Sequence, residues 1–179
     1  HISSVGLEMY CDLLKTELNK NKKTTPNIQA PLITTNILTE INKDYMKNQA
    51  MRVDYYYRIA KAKNSEDLDL IKKEFVDTFG PIPNETKTLL SLAKLKIFCS
   101  PTPVQKIIIS NNNTALFLED LGKFQSVDSL FLAISAFKHE RLISYRYKNK
   151  TGFNFSVVLE TKNISPNLDL LFCFVRLFS

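Results

Sequence analysis

The segment Phe79-Gly80-Pro81-Ile82-Pro83 constrains the fold of this chain most strongly, because it interrupts a helical pattern at a defined point. Glycine readily takes the backbone conformation that ends a helix, and proline cannot continue one. Apolar residues recur at helical spacing on both sides of this Gly-Pro pair. We therefore predict one helix that ends at Phe79 and another that begins near Asn84.

Three helices are predicted between residues 42 and 100, each from apolar residues spaced three or four apart. The middle helix begins at Asn64-Ser65, which can cap its first turn, and Glu66 and Asp67 add the negative charge preferred there. The third helix ends before Ser100-Pro101. The three apolar stripes are Met46, Ala50, Val53, Tyr57 and Ala60; Leu68, Ile71, Phe75 and Phe79; and Leu89, Ala93 and Ile97.

The flanking segments predict an α+β fold. Before the three helices we expect a helix from about residue 3 to 20, a polar linker over 19–27 and an extended strand over 30–41. After residue 103, two hairpins over 106–119 and 142–160 flank a short helix over 127–138, and the apolar tail 168–178 is a helix or a strand. The expected architecture is a helical N-terminal half packed on a small, mostly antiparallel sheet.

Composition excludes several classes of protein. The only glycines, Gly6, Gly80, Gly122 and Gly152, are too dispersed for a phosphate-binding or dinucleotide-binding loop, and no cluster of residues predicts catalysis or a metal site. Three widely spaced cysteines among apolar neighbours favour reduced core thiols in a cytoplasmic protein, and no apolar run is long enough to span a membrane. The chain begins at His1 rather than Met, so we expect a segment of a longer protein.

A net charge of +6 raises the question of nucleic-acid binding. The hairpin over 142–160 places Tyr145 and Tyr147 near Arg146 and Lys148, which could form a stacking surface with phosphate contacts. Strict alternation of these residues is, however, also typical of a half-buried sheet, and core packing is the favoured interpretation.

The outer face of the helix that ends at Phe79 carries an unusual arrangement of charge. Leu70, Glu74 and Asp77 fall on one side, opposite the apolar stripe. Two carboxylates one turn apart near a helix C-terminus are unfavourable, because that end carries partial negative charge. Either the small penalty is tolerated, with Lys73 screening Asp77, or the face is an acidic patch for an arginine-bearing partner. The residues alone leave both interpretations open.

Several of these motifs resemble the C-terminal domain of the bacterial transcription-repair coupling factors (the Mfd family). Tyr56-Tyr57-Arg58-Ile59-Ala60 resembles the family pattern Y-x-R-L/I-A, and the segment from Glu74 to Pro83 resembles E-L-x-D-R-F-G-P-L-P. His1-Ile2 through Tyr10 is similar to the segment that leaves the translocase motor of the family. The resemblance covers residues 1–100 well, and beyond Pro101 only the order of elements agrees.

The resemblance implies that residues 1–25 are a helix and linker leaving an upstream motor, and that residues 26–179 form a non-catalytic regulatory domain without a cofactor. ATP and Mg²⁺ would belong to the motor of the parent protein, a translocase on double-stranded DNA that displaces stalled RNA polymerase and recruits the repair protein UvrA. The domain would clasp the UvrB-like N-terminal module of the same protein and mask the surface that binds UvrA.

Carried over onto this sequence, the clasp implicates Glu74 and Asp77, with Leu70 beside them. The arginine of the family pattern falls on Thr78, so a contact of that arginine is not expected here. A basic nucleic-acid-binding module that assists the translocase is the alternative function, and a purely structural tail of the motor is a third.

Overall fold

The computed structural model describes residues 31–110, 113–118, 124–136, 142–148, 154–160 and 175–176. The predicted helix over 3–20, the linker over 19–27 and nearly all of the tail over 168–178 lie outside these residues. The described part divides into two compact units: residues 38–97 form the first, and residues 31–37 join the described residues from 98 onward in the second.

The first unit contains the three predicted helices. Helix α1 spans Gln49–Lys61, α2 spans Ser65–Phe79, and α3 spans Asn84–Cys99 and so continues two residues into the second unit. The core of this unit includes large side chains from all three helices and from the segment before α1. Its fully buried members are Met46, Ile59, Phe75 and Leu89.

Helix α2 begins and ends at the predicted residues. The Asn64 side chain accepts a hydrogen bond from the Asp67 N–H at 2.8 Å, and the Asp67 carboxylate accepts one from the Lys63 N–H at 2.8 Å. At the other end, Gly80 has a φ of 82° and its N–H donates to the Val76 carbonyl at 3.0 Å. These caps satisfy backbone groups that a helix end otherwise leaves without partners.

The predicted buried faces of α2 and α3 are confirmed. Of the stripe predicted for the first helix, Met46 is buried but precedes α1, which begins at Gln49, and the inward face predicted within α1 was wrong. In α1 the buried residues are Tyr55, Tyr56 and Ile59, whereas Val53 is 38% exposed. Tyrosine rings bury more apolar surface than Ala or Val, so the face that contains them turns inward. Burial is possible because both hydroxyls have partners: Tyr56 accepts from the Ile41 N–H at 2.7 Å, and Tyr55 donates to Glu74.

The second unit contains a five-stranded sheet in the order β1-β2-β3-β5-β4. The sheet is mostly antiparallel, as predicted, because only the β1–β2 pair is parallel. A helix, α4, spans Val127–Ala136 between β3 and β4. The strands span Leu32–Thr35 (β1), Val104–Ile109 (β2), Asn113–Leu118 (β3), Leu142–Lys148 (β4) and Asn154–Glu160 (β5).

Strand β1 is shorter than the extended segment predicted over 30–41. The Thr35 hydroxyl accepts a hydrogen bond from the Ile37 N–H at 3.1 Å, a local turn that competes with continued strand pairing. The α+β class is therefore confirmed, with the strand boundary corrected. Among the described residues, no helix is both long and apolar enough to cross a membrane.

Candidate functional site

The candidate site is the outer face of α2, which carries all four residues singled out from the sequence. Leu70 is 62% exposed, so a large apolar side chain on this face is in contact with solvent. Asp77 and Thr78 are also exposed. Because Leu70 and Asp77 are seven residues apart on one helix, they lie in line, two turns from each other.

Glu74 does not lie unpaired beside Asp77, because its carboxylate is held by Arg58 of α1. Arg58 Nη1 lies 2.7 Å from Glu74 Oε2, and Arg58 Nη2 donates to Oε1 at 2.7 Å. This is the bidentate geometry that gives arginine–carboxylate pairs their directional strength. The side chains of Arg58 and Glu74 are 36% and 44% exposed, so the pair remains accessible to solvent.

Tyr55 supports the same pair from the core side. Its hydroxyl donates to Glu74 Oε2 at 3.4 Å, and the Arg58 guanidinium carbon lies 4.9 Å from the centre of the Tyr55 ring. The ring itself is buried against Phe75, with centroids 4.6 Å apart. The pair therefore rests on a fixed aromatic platform, in a contact favourable for a cation over a ring.

The electrostatics of Glu74 follow from these contacts. The hydrogen bonds from Arg58 hold the pKa of Glu74 below its usual range, against a smaller opposing effect of partial burial. The same contacts raise the pKa of Arg58. Glu74 is thus a carboxylate fixed in its ionised form at neutral pH.

Asp77, unlike Glu74, keeps its carboxylate available. Among the residues that the structure describes, it makes neither a hydrogen bond nor an ion pair. The open face of α2 therefore carries Asp77 and the exposed Glu66 on either side of Leu70, and not the adjacent pair of free carboxylates at 74 and 77 that the sequence suggested.

The last turn of α2 is held in place by Tyr45. Its hydroxyl lies 3.0 Å from both the Phe75 and Gly80 carbonyls, one in the last turn of α2 and one just after it. The Tyr45 ring also packs against Phe79, with centroids 5.6 Å apart. Asp77 and Thr78 consequently project from a well-anchored turn.

Sequence reasoning missed Arg58 and Tyr55 as partners of Glu74. A signal was present, because Arg58 and Glu74 occupy the charged positions of the two motifs that carry the family resemblance. The alternative nucleic-acid-binding surface was predicted on the hairpin over 142–160. Strands β4 and β5 confirm the hairpin, but the side chains of both strands lie outside what the structure describes. Within the described ranges, no group of three His, Cys, Asp or Glu residues is arranged to hold a metal ion.

Comparison with known proteins defines the class to which this fold belongs. The solved structure of a C-terminal domain of transcription-repair coupling factor superposes with a TM-score of 0.65 and 17% sequence identity, covering 83% of this chain and 93% of that one. The chain therefore has the fold of those C-terminal domains.

The family itself is shown by sequence. The TRCF domain family matches residues 35–126, more than half of the chain, and this chain belongs to that family. It is 28% identical over 169 residues to the transcription-repair-coupling factor of Buchnera aphidicola and 28% identical over 172 residues to that of Haemophilus influenzae. These alignments cover 91% and 93% of this chain but only 20% and 14% of the two relatives, so the chain spans a fifth or less of their length.

Proposed function

We propose that this chain is a non-catalytic regulatory domain that clasps the UvrB-like N-terminal module of its parent protein and masks the surface that binds UvrA. The parent would be a cytoplasmic, ATP-driven translocase on double-stranded DNA that acts on stalled RNA polymerase, as the family resemblance implies. The observation that carries the proposal is the exposure of Leu70 in line with the free carboxylate of Asp77.

Leu70 and Asp77 suit a reversible contact between domains. Burying an exposed leucine contributes about 1.5–3 kcal/mol, and a charge-assisted hydrogen bond to Asp77 contributes about 1.5–3 kcal/mol before screening. Free energies of this size can hold a tethered domain closed and still let a competing partner open it. An apolar side chain next to a guanidinium is the partner surface that this stripe would fit.

Glu74 has a different place in the proposal from that suggested by sequence alone. Since Arg58 already neutralises its carboxylate, it contributes to the clasp only by sharing that carboxylate or exchanging partners. Thr78 borders the contact without supplying a charge. The domain boundary near residue 26 remains part of the same proposal.

The test is the affinity of the full-length protein for UvrA. Leu70→Asp or Asp77→Lys should open the clasp and tighten UvrA binding by roughly five- to thirtyfold, the equivalent of about 1–2 kcal/mol. Leu132→Asp, which changes another leucine, 73% exposed but on α4, is the matched control and should leave the affinity unchanged. Unaltered UvrA affinity in both α2 variants would overturn the proposal.

The same variants address the nucleic-acid alternative. If the domain instead binds DNA, the DNA affinity of the full-length protein should fall steeply with salt, and this domain should be responsible for that salt dependence. The α2 variants would then leave UvrA binding untouched.

A further inference from the structure

We infer that Arg58 is a competitor within the domain for the carboxylate of Glu74, and that docking exchanges this carboxylate from Arg58 to a guanidinium of the partner. The inference rests on the proposed function and adds how closure would be regulated. It starts from the geometry of the Arg58–Glu74 pair, in which both carboxylate oxygens are engaged at 2.7 Å.

The pair is placed where a partner can reach it. Glu74 lies four residues after Leu70 and three before Asp77, so a surface that covers those two side chains necessarily meets Glu74. A carboxylate has about four acceptor positions, and Arg58 and Tyr55 occupy three of them. An arriving guanidinium can therefore bind first at the remaining position and then displace Arg58.

Arg58 has other partners ready when it gives up Glu74. Its guanidinium already stacks over the Tyr55 ring, and Asp54, one turn earlier on α1, already attracts its charge. The pair i, i+4 on a helix is a spacing at which aspartate and arginine interact favourably. Displaced Arg58 is consequently not left as an isolated charge, which keeps the cost of exchange low.

The size of the effect follows from the exposure of the pair. A pair that is more than one third exposed on both sides is screened by solvent, and such pairs contribute little. We expect Arg58 to weaken the clasp by about two- to fivefold, the equivalent of about 0.4–1 kcal/mol. An effect of this size shifts the equilibrium between the closed and open clasp without holding the clasp open.

The experiment measures UvrA affinity of the full-length protein in four single variants. Arg58→Met keeps an unbranched apolar side chain at this position but removes the competing charge, so the clasp should tighten. UvrA binding should then weaken two- to fivefold, since the open fraction limits apparent affinity. Asp54→Asn removes the alternative partner of Arg58 and should act in the opposite direction. Lys72→Met removes an exposed charge elsewhere on α2 and should have no effect, and Asp77→Lys should tighten UvrA binding.

Opposite signs for Arg58→Met and Asp54→Asn distinguish exchange from a merely structural role, in which both variants would loosen the domain together. If Asp77→Lys tightens UvrA binding but Arg58→Met does not weaken it, the exchange is overturned while the proposed function stands. If neither Asp77→Lys nor Leu70→Asp changes UvrA affinity, both the exchange and the proposed function are overturned.

Discussion

At the scale of single residues, the two carboxylates at the end of α2 have different surroundings. Glu74 is held by Arg58 and Tyr55, whereas Asp77 is exposed without a partner among the described residues. Arg58 on the neighbouring helix α1 therefore neutralises one of the two carboxylates whose charge is unfavourable at this helix end. The charge of Asp77 is not neutralised, so an ion pair with a partner would stabilise the complex most at this residue.

The first prediction concerns the ionisation of Glu74. Arg58→Met should raise the pKa of Glu74 towards that of an ordinary glutamate, because the hydrogen bonds from Arg58 are the main cause of its lowering. Carboxyl-carbon NMR shifts measured against pH would report it directly. Arg52→Met, which removes an arginine that donates to the Met46 and Lys47 carbonyls, should leave the pKa of Glu74 unchanged.

The sign of the linked stability follows from the lowered pKa. The pair stabilises the fold fully above the pKa of an ordinary glutamate and ceases to do so as the pH falls through the lowered pKa of Glu74. Arg58→Met should flatten the pH dependence of the free energy of unfolding in that window. An identical pH dependence in both proteins would contradict the pairing.

The second prediction concerns Gly80. Its backbone, at φ 82° and ψ −155°, lies in a region that is essentially restricted to glycine, although a Cβ there would meet no atom within 4 Å. Gly80→Ala should lower the free energy of unfolding by about 1–3 kcal/mol through backbone strain alone. Thr78→Ala, at an exposed helical position, should stay within about 0.5 kcal/mol in the same urea titration. Equal stability of the two variants would show that this strain is absent.

At the scale of elements, α2 lacks a cation in its last turn, although the helix dipole favours one there. The family pattern has arginine at the position of Thr78. That residue would lie four positions after Glu74, the favourable orientation for a helical ion pair. The chain thus lacks one stabilising contact at the helix end that forms the candidate site.

The third prediction restores that contact. Thr78→Arg should raise the free energy of unfolding by about 0.5–1 kcal/mol, from the dipole and the added pair together. Thr78→Gln is the matched control, because it improves helix propensity without adding charge. If Thr78→Arg is no more stable than Thr78→Gln in urea denaturation, the electrostatic explanation is contradicted.

The elements show how far sequence reasoning extends. Helix α2 was predicted to the residue at both ends, because Asn64 and Gly80 are local signals that act through the backbone next to them. The buried face of α1 was not, since three consecutive tyrosines offer more than one inward face and tertiary packing chooses between them. The Arg58–Glu74 pair was missed for the same reason: the two residues are sixteen positions apart, and only the crossing of α1 and α2 brings them together.

At the scale of the whole molecule, the described chain forms a three-helix unit and a five-stranded sheet unit. The chain belongs to the TRCF domain family and spans a fifth or less of the two coupling factors compared above. Our proposal therefore seeks the function of its surfaces in contacts with other domains of such a protein. The α2 face is our candidate, because an exposed leucine and a carboxylate without a partner among the described residues lie in line there.

The most direct test of this account is whether Leu70 is covered in the full-length protein. Leu70→Cys would be labelled with a maleimide, with and without UvrA, and the labelled peptide quantified by mass spectrometry. Val53→Cys, at an exposed position on α1, is the reference. A closed clasp predicts slow labelling at position 70 that accelerates several-fold on addition of UvrA, while labelling at position 53 stays constant. Labelling at position 70 that is as fast as at position 53 and insensitive to UvrA would contradict it.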